Sequence, residues 1–163
     1  MDALSFKDAS NLIGSSLIDD FSEIDSNDGK GLDYGRDVRK DISPLQERNL
    51  KTPFLNPISE GKEYVLVLDL DETLLHFNEQ MEKVFVRPYA EKFLLRMSKL
   101  YEIVIFTAGM QDYADWALSH LRGNVAARCI THRLYRHHAI PCREIYLKDL
   151  SFLGRDLSKT IIV

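Results

Sequence analysis

Short apolar runs alternate with segments of helical spacing along the chain from Glu63 onward. Tyr64 to Leu68 is a continuous apolar run that is too short for a helix, and such a run is typical of a strand buried on both faces of a parallel sheet. The same pattern predicts strands at Glu102 to Phe106, around Arg128 to Thr131, and at Thr160 to Val163. We therefore expect a sheet of four strands.

Between these runs, two segments place apolar residues three and four positions apart, as one face of a helix requires. The first has Pro88 in its first turn, and the second runs from Gln111 to Leu121 and is closed by Arg122-Gly123-Asn124. The apolar positions are Phe93, Leu94, Met97 and Leu100 in the first helix and Tyr113, Trp116, Ala117 and Leu121 in the second. Strands that alternate with helices in this order predict an α/β layered domain with right-handed crossovers.

The first 56 residues differ in composition, because they are rich in Asp, Ser, Asn and Gly and contain Pro44 and Pro53. We interpret residues 1–56 as a mostly disordered arm, with a short helix near Leu12 to Ile18, and residues 57–163 as the folded domain. The arm carries 11 Asp and Glu against 7 Lys and Arg, whereas residues 57–163 carry 14 of each kind. Its DSNDGKGLD run resembles a calcium loop, but the ligand spacing does not fit an EF-hand, which favours an acidic linker.

Net charge and cysteine content exclude several classes of protein. A formal charge of -4 over 163 residues leaves no broad basic surface, so we expect no direct binding of nucleic acid. Cys129 and Cys142 form neither a disulfide framework nor a zinc knuckle, which favours the nucleus or the cytoplasm as the location. We expect neither a signal peptide nor a mitochondrial presequence, because MDALSFKDAS is acidic and lacks an apolar run, and the apolar runs of the sequence are far shorter than the roughly twenty residues of a transmembrane segment.

Polar side chains follow the ends of the predicted strands, where α/β sheets bind their ligands. The first strand runs into Asp69-Leu70-Asp71-Glu72-Thr73, the second runs into Thr107-Ala108-Gly109, and Lys148 precedes the last strand. In an extended chain, the side chains of Asp69 and Asp71 lie on one face. Two carboxylates so close together favour a bound cation, and Mg²⁺ accepts one or two carboxylates together with phosphate oxygens.

Such a site indicates phosphoryl transfer. One carboxylate attacks phosphorus and forms an aspartyl phosphate, while the other protonates the leaving oxygen and later activates water. Thr107 and Lys148 are suitable donors to the phosphoryl oxygens. Plainer explanations stay open for single residues, since Asp71 and Glu72 suit the first turn of a helix and Lys148 suits a solvated surface. It is the ordered set of motifs that favours the catalytic interpretation.

Four segments carry a resemblance to a known family: DLDETLLH, FVRPYAEKFL, YEIVIFTAGMQDYADW and IYLKDLSFLGRDLSKTIIV. They resemble the protein serine/threonine phosphatases related to those that act on the carboxy-terminal repeat of RNA polymerase II. These are also called small C-terminal-domain or NLI-interacting-factor-like phosphatases, within the haloacid dehalogenase superfamily. The resemblance covers about Glu63 to Val163 and makes residues 57–163 a partial phosphatase domain. It implies a Rossmann-like parallel sheet, Mg²⁺ as cofactor, and phosphoserine or phosphothreonine in a protein as substrate.

The resemblance also implies a role for each matching residue. Asp69 would be the nucleophile and Asp71 the general acid and base, and both would bind Mg²⁺, Asp71 through its backbone carbonyl. Thr107 and Lys148 would bind the phosphate. Arg136 would contact the substrate peptide, as the matching arginine does in relatives.

The segment from Arg128 to Lys148 supports peptide binding independently of the resemblance. It holds five Arg or Lys and three His residues, and Glu144 is the one glutamate among its charged positions. A solvated basic loop is the alternative explanation for all of these residues except Lys148.

Two features depart from the family pattern. The segment from His76 to Val84 is shorter than the insertion found in relatives that act on the polymerase, so part of their peptide groove is expected to be absent. The sequence also ends at Val163, one residue before the position at which family members carry a metal-binding aspartate after the last strand. We therefore expect a C-terminally incomplete fold and a truncated product with little turnover. The alternative is a non-catalytic binding module on the same fold, as in the receptor subunit of the mitochondrial inner-membrane translocase.

Overall fold

The computed structural model describes residues 50–142 and 145–163. Most of the predicted arm, including the helix near Leu12 to Ile18, lies outside these ranges. The strands are β1 (Tyr64–Leu68), β2 (Leu75–Asn78), β3 (Lys83–Val86), β4 (Tyr101–Phe106), β5 (His132–Leu134), β6 (Ile140–Cys142), β7 (Ile145–Leu147) and β8 (Thr160–Ile162). The α-helices are α1 (Ala90–Met97), α2 (Gln111–Leu118) and α3 (Val125–Cys129), and short 3₁₀ turns cover Arg122–Asn124, Arg136–His138, Leu150–Leu153 and Leu157–Lys159.

Four strands form a parallel sheet in the order β5-β4-β1-β8. The strand β1 lies at its centre and pairs with β4 on one side and with β8 on the other. Beyond β8, the amide of Asp69 donates a hydrogen bond to the carbonyl of Val163 at 3.1 Å. The prediction of an α/β fold with a parallel sheet is confirmed, as are the strands predicted at Tyr64 to Leu68, Glu102 to Phe106 and Thr160 to Val163 within one residue.

The position predicted for the third strand, around Arg128 to Thr131, is wrong. The chain is helical up to Cys129, and the edge strand β5 begins at His132. The buried residues Val125, Ala126 and Cys129 follow helical spacing, which explains the difference. Asn124, in the left-handed region at a φ of 56°, precedes this helix.

The two predicted helices exist, but both are shorter than their apolar spacing indicates. Helix α1 begins at Ala90, two residues after Pro88, and ends at Met97, so Leu100 lies outside it and is 61% exposed. Helix α2 ends at Leu118, and the buried Leu121 packs from the segment that follows. In α2, apolar packing continues past the last helical turn, so apolar spacing overestimates the length of this helix.

Two antiparallel hairpins are additions that the apolar pattern does not predict. The first pairs β2 with β3 directly after the Asp71 segment, and the second pairs β6 with β7 directly before Lys148. Their strands have three or four residues each, and only one residue in each strand of the first hairpin is buried. Such short, partly exposed strands leave little periodicity in the sequence.

Apolar residues cover both faces of the parallel sheet. Leu66, Leu68, Ile103 and Ile105 face a cluster that includes residues of all three helices. The alternate residues face a second cluster, which consists of Leu55, Val65, Val67, Val104, Phe106, Leu134, Ala139 and Leu153. The presence of Leu55 in this core shows that the end of the segment interpreted as an arm packs on the domain.

A buried carboxylate lies within the sheet at Glu102, near the start of β4. The Nε of Arg155 contacts its Oε2 at 2.8 Å, and the Nε2 of His132 lies 3.2 Å from its Oε1. The same Arg155 donates to the carbonyl of Asn56 at 2.7 Å, and Ser59 donates to Glu102 from both its amide and its hydroxyl. Burial by itself raises the pKa of Glu102, but the hydrogen bond and charge of Arg155, with help from His132, hold that pKa below its ordinary value.

We expect the Arg155→Met substitution to lower the free energy of unfolding by about 3–5 kcal/mol, because it leaves the buried Glu102 carboxylate without its main partner. Urea unfolding monitored by circular dichroism measures this loss. Lys159→Met is the matched control, since Lys159 forms an exposed ion pair with Glu63. Equal destabilisation by the two substitutions would contradict the proposed importance of the buried pair.

The same pair predicts how stability depends on pH. Because the folded pKa of Glu102 lies below its ordinary value of 4.5, the stabilisation is complete above that value and is lost as the pH falls through the folded pKa. The double variant Glu102→Gln/Arg155→Met lacks this contribution, so its unfolding free energy should fall less steeply below about pH 4.5 than that of the wild type. The control is Glu63→Gln/Lys159→Met, which should keep the wild-type slope. Identical slopes in all three proteins would refute this assignment.

Candidate active site

Asp69 is the first residue after β1, and its carboxylate is fixed by two contacts at the carboxyl end of the sheet. Its Oδ2 lies 2.8 Å from the Nζ of Lys148, and its Oδ1 accepts a hydrogen bond of 2.7 Å from the amide of Leu70. The Asp69 side chain is 41% exposed and that of Lys148 is 19% exposed. The carboxylate is therefore oriented by the protein and still open to a ligand.

Asp71 lies two residues further along the chain, and it is partly buried. Its Oδ1 accepts a hydrogen bond from the hydroxyl of Tyr113, on α2. Burial raises the pKa of Asp71, and the negative charge of Asp69 raises it further, although the hydrogen bond from Tyr113 opposes this shift. Burial and the same hydrogen bond also raise the pKa of Tyr113, so its hydroxyl remains a donor to Asp71.

Thr107 occupies the equivalent position at the end of β4, the neighbour of β1. It is 1% exposed, and its Oγ1 accepts a hydrogen bond of 2.9 Å from the amide of Gly109. Within the described part of the chain, no hydrogen bond joins the Thr107 side chain to Asp69, Asp71 or Lys148. The structure thus brings Asp69 and Lys148 into contact and places Thr107 on the adjacent strand end.

Arg136 packs on the loop that follows Thr107. Its Nε donates to the carbonyl of Ala108 at 2.6 Å, its amide donates to the carbonyl of Gly109 at 2.9 Å, and its guanidinium lies 4.9 Å from the centre of the Tyr146 ring. These contacts hold Arg136 beside the predicted site. Arg133, another cation of the same segment, is already paired, because it contacts Asp115 at 2.5 Å.

Tyr113 is a site residue that the sequence pattern does not reveal. Its place on the apolar face of α2 predicts a core residue, and its ring is indeed 7% exposed and packs on Trp116 at 6.1 Å. Only the three-dimensional placement of α2 against the Asp71 segment shows that the hydroxyl reaches a carboxylate. The useful signal is chemical, because a buried tyrosine hydroxyl generally has a hydrogen-bond partner.

The donor set is compatible with Mg²⁺ but does not form a complete protein cage. Asp69 and Asp71 provide two carboxylates near one another, and within residues 50–142 and 145–163 no group of three or more His, Cys, Asp or Glu residues is arranged to hold a metal. Mg²⁺ in phosphate-handling sites commonly binds one or two carboxylates and completes its shell with water and phosphate. Burial is the main cause of the raised pKa of Asp71, and the negative charge of Asp69, which a divalent cation would offset, adds to it.

In the described ranges, no helix has the length and apolar character needed to cross a membrane.

Comparison with known proteins identifies relatives of this domain. Residues 64–163 match the family described as NLI interacting factor-like phosphatase. The chain is 41% identical over 119 residues to the CTD small phosphatase-like protein 3 of Caenorhabditis elegans, a match that covers 62% of this chain and 41% of the relative. It is 38% identical over 129 residues to the human CTD small phosphatase-like protein, with coverage of 68% and 45%.

One solved structure found in the comparison is the fission yeast RNA polymerase II CTD phosphatase bound to beryllium fluoride. It has a TM-score of 0.48 and 18% sequence identity, and the match covers 61% of this chain and 36% of that one. The matched region spans less than half the length of the worm and human relatives. The family match covers well over half of the present sequence, including all of the parallel sheet. The chain belongs to the NLI interacting factor-like phosphatase family.

Proposed function

We propose that this domain is a Mg²⁺-dependent protein serine/threonine phosphatase that acts through an aspartyl phosphate on Asp69. The observation that carries the proposal is the 2.8 Å contact between Asp69 and Lys148, with Asp71 two residues away in the chain. A phosphoryl group that reaches Asp69 therefore meets a carboxylate nucleophile beside a cation. The names of the relatives, which are phosphatases, support the same reaction class.

Asp69 is the proposed nucleophile because its carboxylate is oriented and accessible. One oxygen is held by the amide of Leu70, and the other contacts the Lys148 ammonium. Attack of an Asp69 oxygen on phosphorus forms the aspartyl phosphate as the bond from phosphorus to the serine or threonine oxygen breaks. Lys148 then lies where negative charge on the phosphoryl oxygens needs a cation.

Asp71 is the proposed general acid and base. Its raised pKa favours the protonated form that the first step needs, in which Asp71 gives its proton to the departing serine or threonine oxygen. In the second step Asp71 takes a proton from water as that water attacks phosphorus, which releases inorganic phosphate and restores Asp69. The hydrogen bond from Tyr113 fixes the carboxyl group during both transfers.

Asp69, through its carboxylate, and Asp71, through its backbone carbonyl, are the proposed ligands of Mg²⁺, which when bound would supply positive charge that offsets the Asp69 carboxylate and the phosphate. Thr107 is proposed to donate its hydroxyl hydrogen to a phosphoryl oxygen, because its Oγ1 already accepts from Gly109 and retains its own proton for donation. The metal-binding aspartate expected beyond Val163 stays a prediction from the resemblance.

We propose a phosphorylated protein segment as the substrate and the nucleus or cytoplasm as the location. Arg136 lies beside the site, and the guanidinium that stacks on Tyr146 is suited to contact a peptide that carries phosphoserine or phosphothreonine. Both cysteines are free and buried, in agreement with a reducing compartment.

The two aspartates should differ in their response to the leaving group. Asp69→Asn should abolish turnover of every substrate, because the nucleophile is lost. Asp71→Asn should lower kcat by about 10²–10⁴-fold on a phosphoserine peptide and by less on para-nitrophenyl phosphate, since nitrophenolate leaves without needing a proton.

Kinetics with Mg²⁺, in steady state or in a single turnover, measure both variants against the wild type. Asp112→Asn is the matched control, because Asp112 is exposed at the start of α2. Retention of wild-type turnover by Asp69→Asn would refute the proposed mechanism. Equal losses of Asp71→Asn on both substrates would argue against Asp71 as the acid that protonates the leaving oxygen.

Lys148→Met should weaken binding of beryllofluoride, a phosphoryl analogue, by at least tenfold, because the cation that contacts Asp69 is removed. Fluorine NMR titration in the presence of Mg²⁺ measures the binding. Lys99→Met is the control, since Lys99 is an exposed lysine after α1. Unchanged binding in Lys148→Met would rule out the assigned phosphate contact.

A further inference from the structure

The side chain of Arg87 holds the turn that carries Asp71. Neither the sequence motifs nor the proposed mechanism gives this side chain a role. Arg87 follows β3, at the end of the first hairpin. Its Nε donates to the carbonyl of Thr73 at 2.5 Å, and its Nη2 donates to the carbonyl of Glu72, also at 2.5 Å. Its backbone amide donates to the carbonyl of Leu74 at 2.9 Å. One residue thus binds three consecutive carbonyl groups directly after Asp71.

The turn needs such support because its backbone is unusual. Glu72 has a φ of 58°, in the left-handed region that side-chain-bearing residues seldom adopt. The amide of Glu72 donates to the carbonyl of Leu75 at 2.8 Å, and Asp71 forms an isolated bridge with Leu75. The backbone conformation directly after Asp71 therefore sets the direction of the Asp71 side chain. Arg87 binds the carbonyls of Glu72 to Leu74 in this part of the backbone.

The contacts of Arg87 fit a role in positioning the Asp71 turn better than a role in a surface ion pair. Arg87 is exposed, and among the described residues none of the ion pairs involves it. Its guanidinium contacts are to main-chain oxygens of Glu72 and Thr73. A planar fork with several donors can bind two adjacent carbonyls at once, which the single ammonium of a lysine cannot reproduce.

Arg87 also lines two clefts beside the site. A cleft of about 460 Å³ is lined by Glu72, Arg87 and Tyr89 among others, and a smaller one of about 200 Å³ is lined by Glu72, His76 and Arg87 among others. A direct contact with substrate is therefore the competing role for Arg87, and kinetics distinguish it from positioning.

We infer that Arg87 is a positioning residue that holds the Glu72–Leu74 turn and thereby orients Asp71 for proton transfer. The inference rests on the proposed function. Loss of the fork should leave substrate binding intact and lower the rate of the chemical step. A displacement of about 1 Å at a reacting group can cost about 10²-fold in rate.

The experiment compares Arg87→Gln and Arg87→Lys with the wild type in the hydrolysis of para-nitrophenyl phosphate and a phosphoserine peptide with Mg²⁺. We expect kcat on the peptide to fall by about 10–100-fold in both variants while KM changes by less than about twofold. The matched control is Arg96→Gln, an exposed arginine in the last turn of α1, which should keep wild-type kinetics. Added methylguanidinium should restore part of the activity of an Arg87→Ala variant. An unchanged kcat, or a raised KM with unchanged kcat, would overturn the inference.

Amide hydrogen exchange keeps the inference separate from the proposed function. In Arg87→Gln the amides of Glu72 to Leu75 should exchange faster than in the wild type, while those of Ile103 to Phe106 in β4 should be unchanged. Failure of the wild type to form an aspartyl phosphate even in a single turnover would overturn the proposed function, and exchange would then decide alone whether Arg87 holds the turn. Equal exchange of the turn in both proteins would overturn the inference whatever the activity.

Discussion

The burial of Val65 to Leu68 in β1, between two other strands and two apolar layers, is the constraint on which the site depends. Val65 and Val67 face one layer, Leu66 and Leu68 face the other, and β4 and β8 take up the backbone hydrogen bonds on both sides. A strand held in this way cannot slip by one residue without moving its side chains to the wrong layer. Asp69 is therefore fixed at the edge where the apolar layers end.

The charges at that edge are balanced by groups distant in the sequence. Asp69 contacts Lys148, which arrives from the second hairpin, and Asp71 contacts Tyr113, which arrives from α2. The two carboxyl groups consequently differ in environment, since that of Asp69 lies beside a cation and that of Asp71 accepts a hydrogen bond from a tyrosine and has a raised pKa. Different environments for two neighbouring carboxyl groups suit one for attack and the other for proton transfer.

The sequence predicted the central strands and the order of the site motifs because both depend on local pattern. Tyr64 to Leu68 is apolar throughout, and carboxylates follow it directly. The sequence therefore predicts both the strand and the polar residues at its carboxyl end. The sequence pattern places the edge strand β5 too early in the chain, because Val125 to Cys129 is apolar enough for either a strand or a helix. The helix at these residues follows from their packing in the core. The roles of Tyr113, Arg87 and the Glu102 pair arise from contacts between residues 14 to 53 positions apart, which periodicity does not encode.

The most direct test of the central claim is chemical trapping of the intermediate on Asp69. The chain is mixed with a phosphorylated substrate and Mg²⁺, quenched, and treated with borohydride, which reduces an acyl phosphate to an alcohol, and the digest is sequenced by mass spectrometry. The proposed mechanism predicts that homoserine replaces Asp69 and that every other aspartate stays unchanged. Turnover without homoserine at this position, or with homoserine at a different aspartate, would contradict it.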